Sequence, residues 1–201
     1  KGKKVPPNRV GPNATHNVLT HFPKDPNCPI CNACKNTRAS HGVKVQGRPD
    51  ALPEPKEFAD SIVMDHAILN EENMSRHNDQ TALVVQDRYS AWLQAFAAKT
   101  KTALDTKVNI QRFLGPQGVA KHVYSDNSGE IDKACMELGF QHDTSTPHCP
   151  QTNGVAERSV RRVKEGTSCT LTQSGFDECW WVEAMMCYCF LRNTIDIMVG
   201  G

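Results

Sequence analysis

The chain has almost no net charge and no long apolar run. Its 23 Lys+Arg against 22 Asp+Glu leave a formal +1 over 201 residues, so total charge points to no polyanionic partner. Any nucleic-acid signal must be local. No stretch approaches the ~20 consecutive apolar residues of a membrane span, and the N-terminal KGKKVPPNRV lacks the apolar core of a signal peptide. We therefore expect an intracellular protein with no membrane partner. A disulfide framework is also missing. The nine cysteines are an odd number, and Cys135, Cys149, Cys169, Cys179, Cys187 and Cys189 are scattered, as free thiols of a reducing compartment would be. There is no initiator Met, and the sequence stops at IMVGG just after a helical pattern. A segment of a longer protein is expected.

What is present divides into a short metal-ligand-rich part and a longer regular one. Residues 1–15, rich in Lys, Pro, Gly and Asn, are expected to be disordered. Residues 16–45 carry His16, His21, Cys28, Cys31, Cys34 and His41 with prolines between them. Apolar burial can hardly fold such a stretch. The proline-rich residues 46–57 read as a linker, and residues 58–201 as the main domain. There, apolar β-branched runs at 61–69 and 81–87 and the run 89–97 predict three strands in hairpin order. A helix at 104–115, a strand at 121–126, a helix at 130–139 and a strand at 140–145 follow. A helix starting at Asn153 and ending near Ser174-Gly175, and another from Asp177 to 193, complete the pattern. Three strands, then alternating helix and strand, then helices describe a mixed α/β domain.

In HCPQTNGVAERSVRRVKEG, residues 148–166, Glu157 stands ahead of Arg158, Arg161, Arg162 and Lys164. At about 100° per residue, Arg161 and Lys164 share the face of Glu157, about 40° and 20° away, while Arg158 and Arg162 lie about 100° and 140° round the helix. An ordinary account is available: an acid near a helix start favours the dipole, and Glu157 precedes Arg161 at an ion-pair spacing. Two aspartates argue for more. Asp65 interrupts the first apolar strand, where a buried carboxylate is costly unless paired or bound to a cation. Asp126 ends the fourth strand at an Asn127-Ser128-Gly129 turn. Three such acids can hold two magnesium ions, hard cations that take oxygen ligands and leave positions for phosphate and water.

VMDHAI, YSDNSGE and TPHCPQTNGVAERSVRRVKEG resemble the three acidic blocks of retroviral and retrotransposon integrases, and WWVEAMMCYCFLRN is similar to the helix that follows them. The resemblance covers nearly the whole chain and is most specific in the Pro-Gln-Thr-Asn-Gly-Val-Ala-Glu-Arg block. It implies a ribonuclease-H-like mixed sheet flanked by helices, with Asp65, Asp126 and Glu157 as the catalytic, metal-binding triad for two Mg2+ or Mn2+ ions. The interval between Asp126 and Glu157 is somewhat shorter than the usual retroviral pattern, and Ser128 is inserted into the commoner Asp-Asn-Gly. Both differences fall in or near a loop, where length varies easily. Asp60, Asp87, Glu130 and Glu165 are competing acids whose local blocks match less well.

Cys28-Pro-Ile-Cys31 has the spacing that lets two sulfurs grip one zinc, and with His16 and His21 it makes a tetrahedral structural set. The order His, His, Cys, Cys is also that of the integrase zinc-binding domain, whose longer insert between the pairs is here reduced to Phe22–Asn27. Two alternatives remain open at this level: a pair of free thiols, or Cys34 and His41 replacing a histidine. The function implied by the resemblance is metal-dependent 3′-end processing and strand transfer, joining element DNA to target DNA, in the nucleus and within a homo-oligomer. No small-molecule substrate is implied. Arg161 and Lys164 beside the triad, with Arg158, Gln151 and Asn153, are the expected DNA contacts. A related transposase or nuclease, and an inactive domesticated DNA-binding copy, are the rival readings; the intact acids argue against decay.

Overall fold

The computed structural model describes residues 15–35, 54–68, 74–144 and 150–196, without the side chains of 150–153. The expected disordered segment apart from Thr15, most of the linker, His41 and Cys149 lie outside the described residues, as do the side chains of Gln151 and Asn153.

Five strands form one mixed sheet in the order β3-β2-β1-β4-β5. β1 (Ile62–Ile68), β2 (Thr81–Asp87) and β3 (Leu93–Ala98) are antiparallel neighbours, and β4 (Val123–Ser125) and β5 (His142–Thr144) add on in parallel. This is the ribonuclease-H-like sheet that the resemblance implied. Alternation along β1 sorts its side chains between two faces. Ile62 and Met64 join Leu83, Val85 and Val123 beneath α2 (Ala103–Leu114) and α3 (Gly129–Leu138), with Ile110, Phe113, Ile131 and Ala134 from those helices. Ala67, Ala82, Val84, Leu93 and Ala95 face the other way, onto Val163 of α4 (Pro150–Ser174) and Trp181, Met185 and Tyr188 of α5 (Trp181–Ile195). β2 is buried along its whole length because both of its faces are covered, hence its nearly unbroken apolar run.

The two parallel strands are shorter than expected, β4 ending at Ser125 rather than at Asp126, and three further boundaries differ from the sequence expectation. The third strand begins at Leu93 rather than at residue 89. Asp87 is fully buried, and its carboxylate accepts from the Ser90 backbone N–H and hydroxyl, each at 2.6 Å, and from the Ala59 N–H at 2.9 Å. That clamp turns the chain through 88–92, with Ala91 at φ 58°. α4 begins at Pro150, not at Asn153; proline suits a first helical turn, whose N–H has no intrahelical partner in any case. Asp177 makes no side-chain cap, and a short 3-10 turn, Glu178–Trp180, precedes α5.

Ahead of the sheet, residues 15–35 form a small module around α1 (Pro29–Cys34), a short helix absent from the sequence expectation. It docks on the C-terminal part of α4. The Thr20 hydroxyl donates to Asp196 at 2.6 Å just past α5, the Arg162 guanidinium lies 5.3 Å from the centre of the Phe22 ring, and Cys34 Sγ is 3.3 Å from Thr172 Oγ1.

Candidate functional site

The parallel pairing of β1 with β4 sets Met64 beside Ser125, so Asp65, within β1, and Asp126, one residue past β4, come side by side on the α4 face. α4 is fastened above them at two points. Ala156 packs with Val63 and Tyr124, and the buried Ser159 hydroxyl hydrogen-bonds Gln86 Oε1 of β2. Glu157 lies between those two anchors, exposed, and near enough to Asp65 for its charge to act on that carboxyl.

Electrostatics show the meeting of the three acids. The Asp65 carboxyl is pushed up to about 6, first by burial and then by the negative field of Asp126 and, more weakly, of Glu157, against a hydrogen bond from the His66 backbone and a smaller pull from Lys101. Asp126 Oδ1 is buried and has no hydrogen-bond partner. A buried carboxylate oxygen without a donor, next to two further acids, is a costly arrangement that a bound cation would relieve. The oxygen-only donor set suits a hard divalent ion. The competing acids are occupied elsewhere. Asp60 pairs with Lys121 at 2.6 Å, Asp87 clamps its turn, and Glu130 binds Lys101 at 3.2 Å and accepts from the Ser128 hydroxyl at 2.9 Å. Glu165 lies two turns beyond Glu157 and interacts with Arg162.

The basic residues separate by environment. Arg158, Arg161 and Lys164 are exposed, whereas Arg162 is turned inward against Phe22 and the Tyr188–Asp196 region. Among the described residues neither Arg161 nor Lys164 forms an ion pair with Glu157, so the ordinary spacing account gains nothing here. Lys164 stands at the wall of a cavity of about 570 Å³ that also takes in Ala67, Val163, Phe176, Trp181 and Met185. Ala67 is two residues along β1 from Asp65, on the same face.

At the other end of α4 the four predicted metal ligands converge. His16, His21, Cys28 and Cys31 present ligand atoms that all lie within 4.8 Å of one another. Their hydrogen bonds leave the lone pairs that a metal needs. His16 Nδ1 is 2.7 Å from the Pro23 carbonyl, and its Nε2 is buried without a partner. His21 Nε2 faces Gln173 Oε1 at 3.1 Å, which leaves Nδ1 beside Cys28 Sγ at 3.5 Å. Burial lowers the His21 pKa and so favours its neutral, ligating form. A hydrogen bond from the Cys31 backbone N–H is the main influence drawing the Cys28 thiol down towards thiolate. Two imidazoles and two sulfurs are the donor set of a tetrahedral structural zinc site. Cys34, offered above as a substitute ligand, turns instead to Thr172. No local pattern points to Gln173: a partner 152 residues away from His21 leaves no spacing to read. Such outer partners orient the ligating imidazole.

No family model matches the chain. It is similar to a retrovirus-related Pol polyprotein from a transposon of Nicotiana tabacum, 35% identical over 78 residues, which are 36% of this chain and 6% of that polyprotein. It is also similar to the Gag-Pol polyprotein of woolly monkey sarcoma virus, 26% identical over 186 residues, 85% of this chain and 11% of the polyprotein. The chain thus spans a small part of these relatives. Among solved structures, the catalytic core domain of BIV integrase superposes with a TM-score of 0.52 at 22% identity, covering 71% of this chain and 89% of that one. The simian T-cell lymphotropic virus intasome, determined in complex with a PP2A regulatory subunit, gives a TM-score of 0.61 at 18% identity, covering 85% of this chain and 59% of that one. The fold is that of retroviral integrase cores, and the sequence relatives are retroviral and transposon Pol polyproteins.

Proposed function

We propose that this chain, related to Pol polyproteins and folded as an integrase core, is the zinc-module and catalytic segment of a retroelement integrase that processes and joins DNA 3′ ends. The observation that carries the reading is the convergence of Asp65, Asp126 and Glu157, with Asp126 Oδ1 buried and unpartnered. These carboxylates are the proposed ligands of two Mg2+ or Mn2+ ions. Such ions, when bound, acidify the attacking water or hydroxyl and offset charge on the leaving oxygen.

The reaction is phosphoryl transfer. Water first displaces the terminal nucleotides of the element end, and the freed 3′ hydroxyl then attacks a target phosphodiester in line. The chain's own residues supply binding and position. The exposed Arg161 and Lys164, with Arg158, Gln151 and Asn153 nearer the helix start, are proposed to hold DNA phosphates on the path to Glu157. His16, His21, Cys28 and Cys31 are the proposed ligands of one structural zinc, which orders the module on α4. Work on two DNA ends at once calls for more than one copy, so a homo-oligomer acting in the nucleus is part of the proposal.

A strand-transfer assay tests it. The full chain is incubated with blunt and with pre-cut element ends in Mg2+ and in chelator, beside Asp65→Asn, Asp126→Asn and Glu157→Gln. Joining in Mg2+ that each amide lowers by about 10³-fold or more, on the scale of losing a dominant charge-stabilising group, is the expected result. Near-full joining by Glu157→Gln removes that residue from the triad.

A further inference from the structure

The two carboxylates on the sheet are supported very differently from behind. Asp65 lies within β1 and is held by the ladder to Val84. Asp126 stands one residue past β4, whose last pairs are Ser125 with Met64 and with Thr144. No strand neighbour fixes it. Its backbone carbonyl instead accepts two hydrogen bonds, from the Ser128 N–H at 2.8 Å and from the Ser125 hydroxyl at 2.7 Å. A carbonyl has two lone pairs, and both are used.

Behind Ser125, on the α3 face, a polar chain continues through the sheet edge. His142 Nε2 is 2.8 Å from Ser125 Oγ, and His142 Nδ1 is 3.2 Å from Asp132 Oδ1 of α3. A hydroxyl has one proton, and Ser125 gives it to the Asp126 carbonyl. Towards His142 it therefore only accepts, so His142 Nε2 carries a hydrogen. The imidazole thus bridges Ser125 Oγ and the Asp132 carboxylate through its two ring nitrogens. Ser125 is fully buried and the His142 side chain is 6% exposed. A Ser–His–Asp array so enclosed has no access to a substrate, and cannot act as a nucleophile. Its direction is inward, to the peptide that carries Asp126.

Resting on the metal reading above, we propose that Ser125, His142 and Asp132 are positioning residues: they lock the Asp126 peptide past the end of β4 so that its carboxylate faces Asp65 when a divalent ion binds. Asp132 sets the ring, the ring sets the hydroxyl, and the hydroxyl sets the carbonyl. Without that array only the Ser128 N–H holds the Asp126 carbonyl, and the ligand must be re-ordered at each binding event.

The test is a Mn2+ titration of the full chain, zinc-loaded and without DNA, following the free ion by its electron paramagnetic resonance signal, with melting of each variant in chelator measured in parallel. Asp126→Asn is expected to lose the site. Ser125→Ala and His142→Leu keep all three acids and are expected to bind Mn2+ about 10-fold or more weakly, as loss of outer-shell partners does. His142→Gln, which keeps a donor within reach of Ser125 Oγ, is expected to restore most of the affinity; a purely structural role would not distinguish Gln from Leu at equal melting temperature. Parental Mn2+ binding by Ser125→Ala, or equal weakness of His142→Gln and His142→Leu, overturns the proposal. Should the buried substitutions fail to fold, Asp132→Ala decides. Its side chain is 60% exposed, and about a two- to three-fold loss, a minor share of the outer-shell effect, is expected, against no change if the proposal is wrong. If Asp126→Asn binds as the parent does, the metal reading itself fails, and this inference with it.

Discussion

Residues 15–35 and the sheet domain beneath them are held by different physics. In the module the buried residues are Thr20, His21, Cys31 and Lys35, so Cys31 is its one buried apolar side chain among the described residues. Its interior is a set of ligand atoms and hydrogen bonds, including the Lys35 ammonium donating to the His21 carbonyl at 2.7 Å. The sheet domain buries Ile62, Met64, Val85, Ile110, Ile131 and Tyr188 nearly completely, and needs nothing added to cohere. It pays for a site instead, by keeping Asp65 half-buried among other acids. One region lacks an apolar core and gathers four possible metal-ligand atoms instead; the other has cores on both faces and carries a cluster of acids.

Metal removal separates the two regions most sharply. A structural zinc contributes about 10 kcal/mol or more of folding free energy to a small module. In a strong chelator the amides of residues 15–35 should therefore lose hydrogen-exchange protection while those of Ile62 and Val85 keep theirs. Equal protection of both regions without metal would break the distinction.

The reverse experiment damages the sheet domain and spares the cluster. A Cβ at Gly166 would stand 2.2 Å from the Tyr188 ring, in a helix seam where the ring is 1% exposed and cannot swing away. Gly166→Ala is expected to cost about 3 kcal/mol by overpacking, read as a lower urea midpoint, with the zinc content unchanged.

The acid cluster gives a smaller, pH-dependent effect. The Asp65 carboxyl is raised from 3.8 to about 6 in the folded chain, so ionisation opposes folding. The stability this group contributes is complete below its unfolded value and is lost as pH rises through about 6. In chelator, parent and Asp65→Asn should melt alike at low pH. By pH 7 the variant should melt higher: two pKa units correspond to about 3 kcal/mol, discounted to about 1–2 kcal/mol for a partly exposed group, or about 3–6 °C for a chain of this size, and Mg2+ should raise the parent alone. A gap that stays constant from pH 4 to pH 8 would show that Asp65 does not bear this cost.

The smallest effect concerns the outer face of α4. Arg161→Ala and Lys164→Ala should each flatten the salt dependence of binding to element-end DNA by about one unit of slope. Arg162, turned inward to Phe22, should disturb module docking more than DNA binding. Salt titrations of Arg161→Ala and Lys164→Ala that overlay the parent curve would leave the exposed cations a solvated face.

Much of this was legible in the chain. The apolar, β-branched runs SIVMDHAIL and TALVVQD announced two successive strands in hairpin order, which pair antiparallel in the sheet. The Cys-x-x-Cys with two preceding histidines picked out the residues whose possible ligand atoms the fold brings within 4.8 Å of one another. The start of β3 was misplaced because YSAW is apolar enough to pass for strand, whereas the buried Asp87 carboxylate bends it into a turn. The start of α4 was misplaced because Asn153 is a good cap in isolation, yet Pro150 opens a helix as well.

The sequence by itself determined the elements, the acidic blocks and the ligand types, because these depend on periodicities of two and 3.6 residues and on spacings of a few positions. Tertiary structure alone decided that Gln173 backs His21, that Gly166 receives Tyr188, and that Ser125, His142 and Asp132 stand behind Asp126. Each of those pairings is made by strand register or by helix packing between segments distant along the chain. A local pattern tells a side chain which face it takes, and only the packed fold tells it what it meets there.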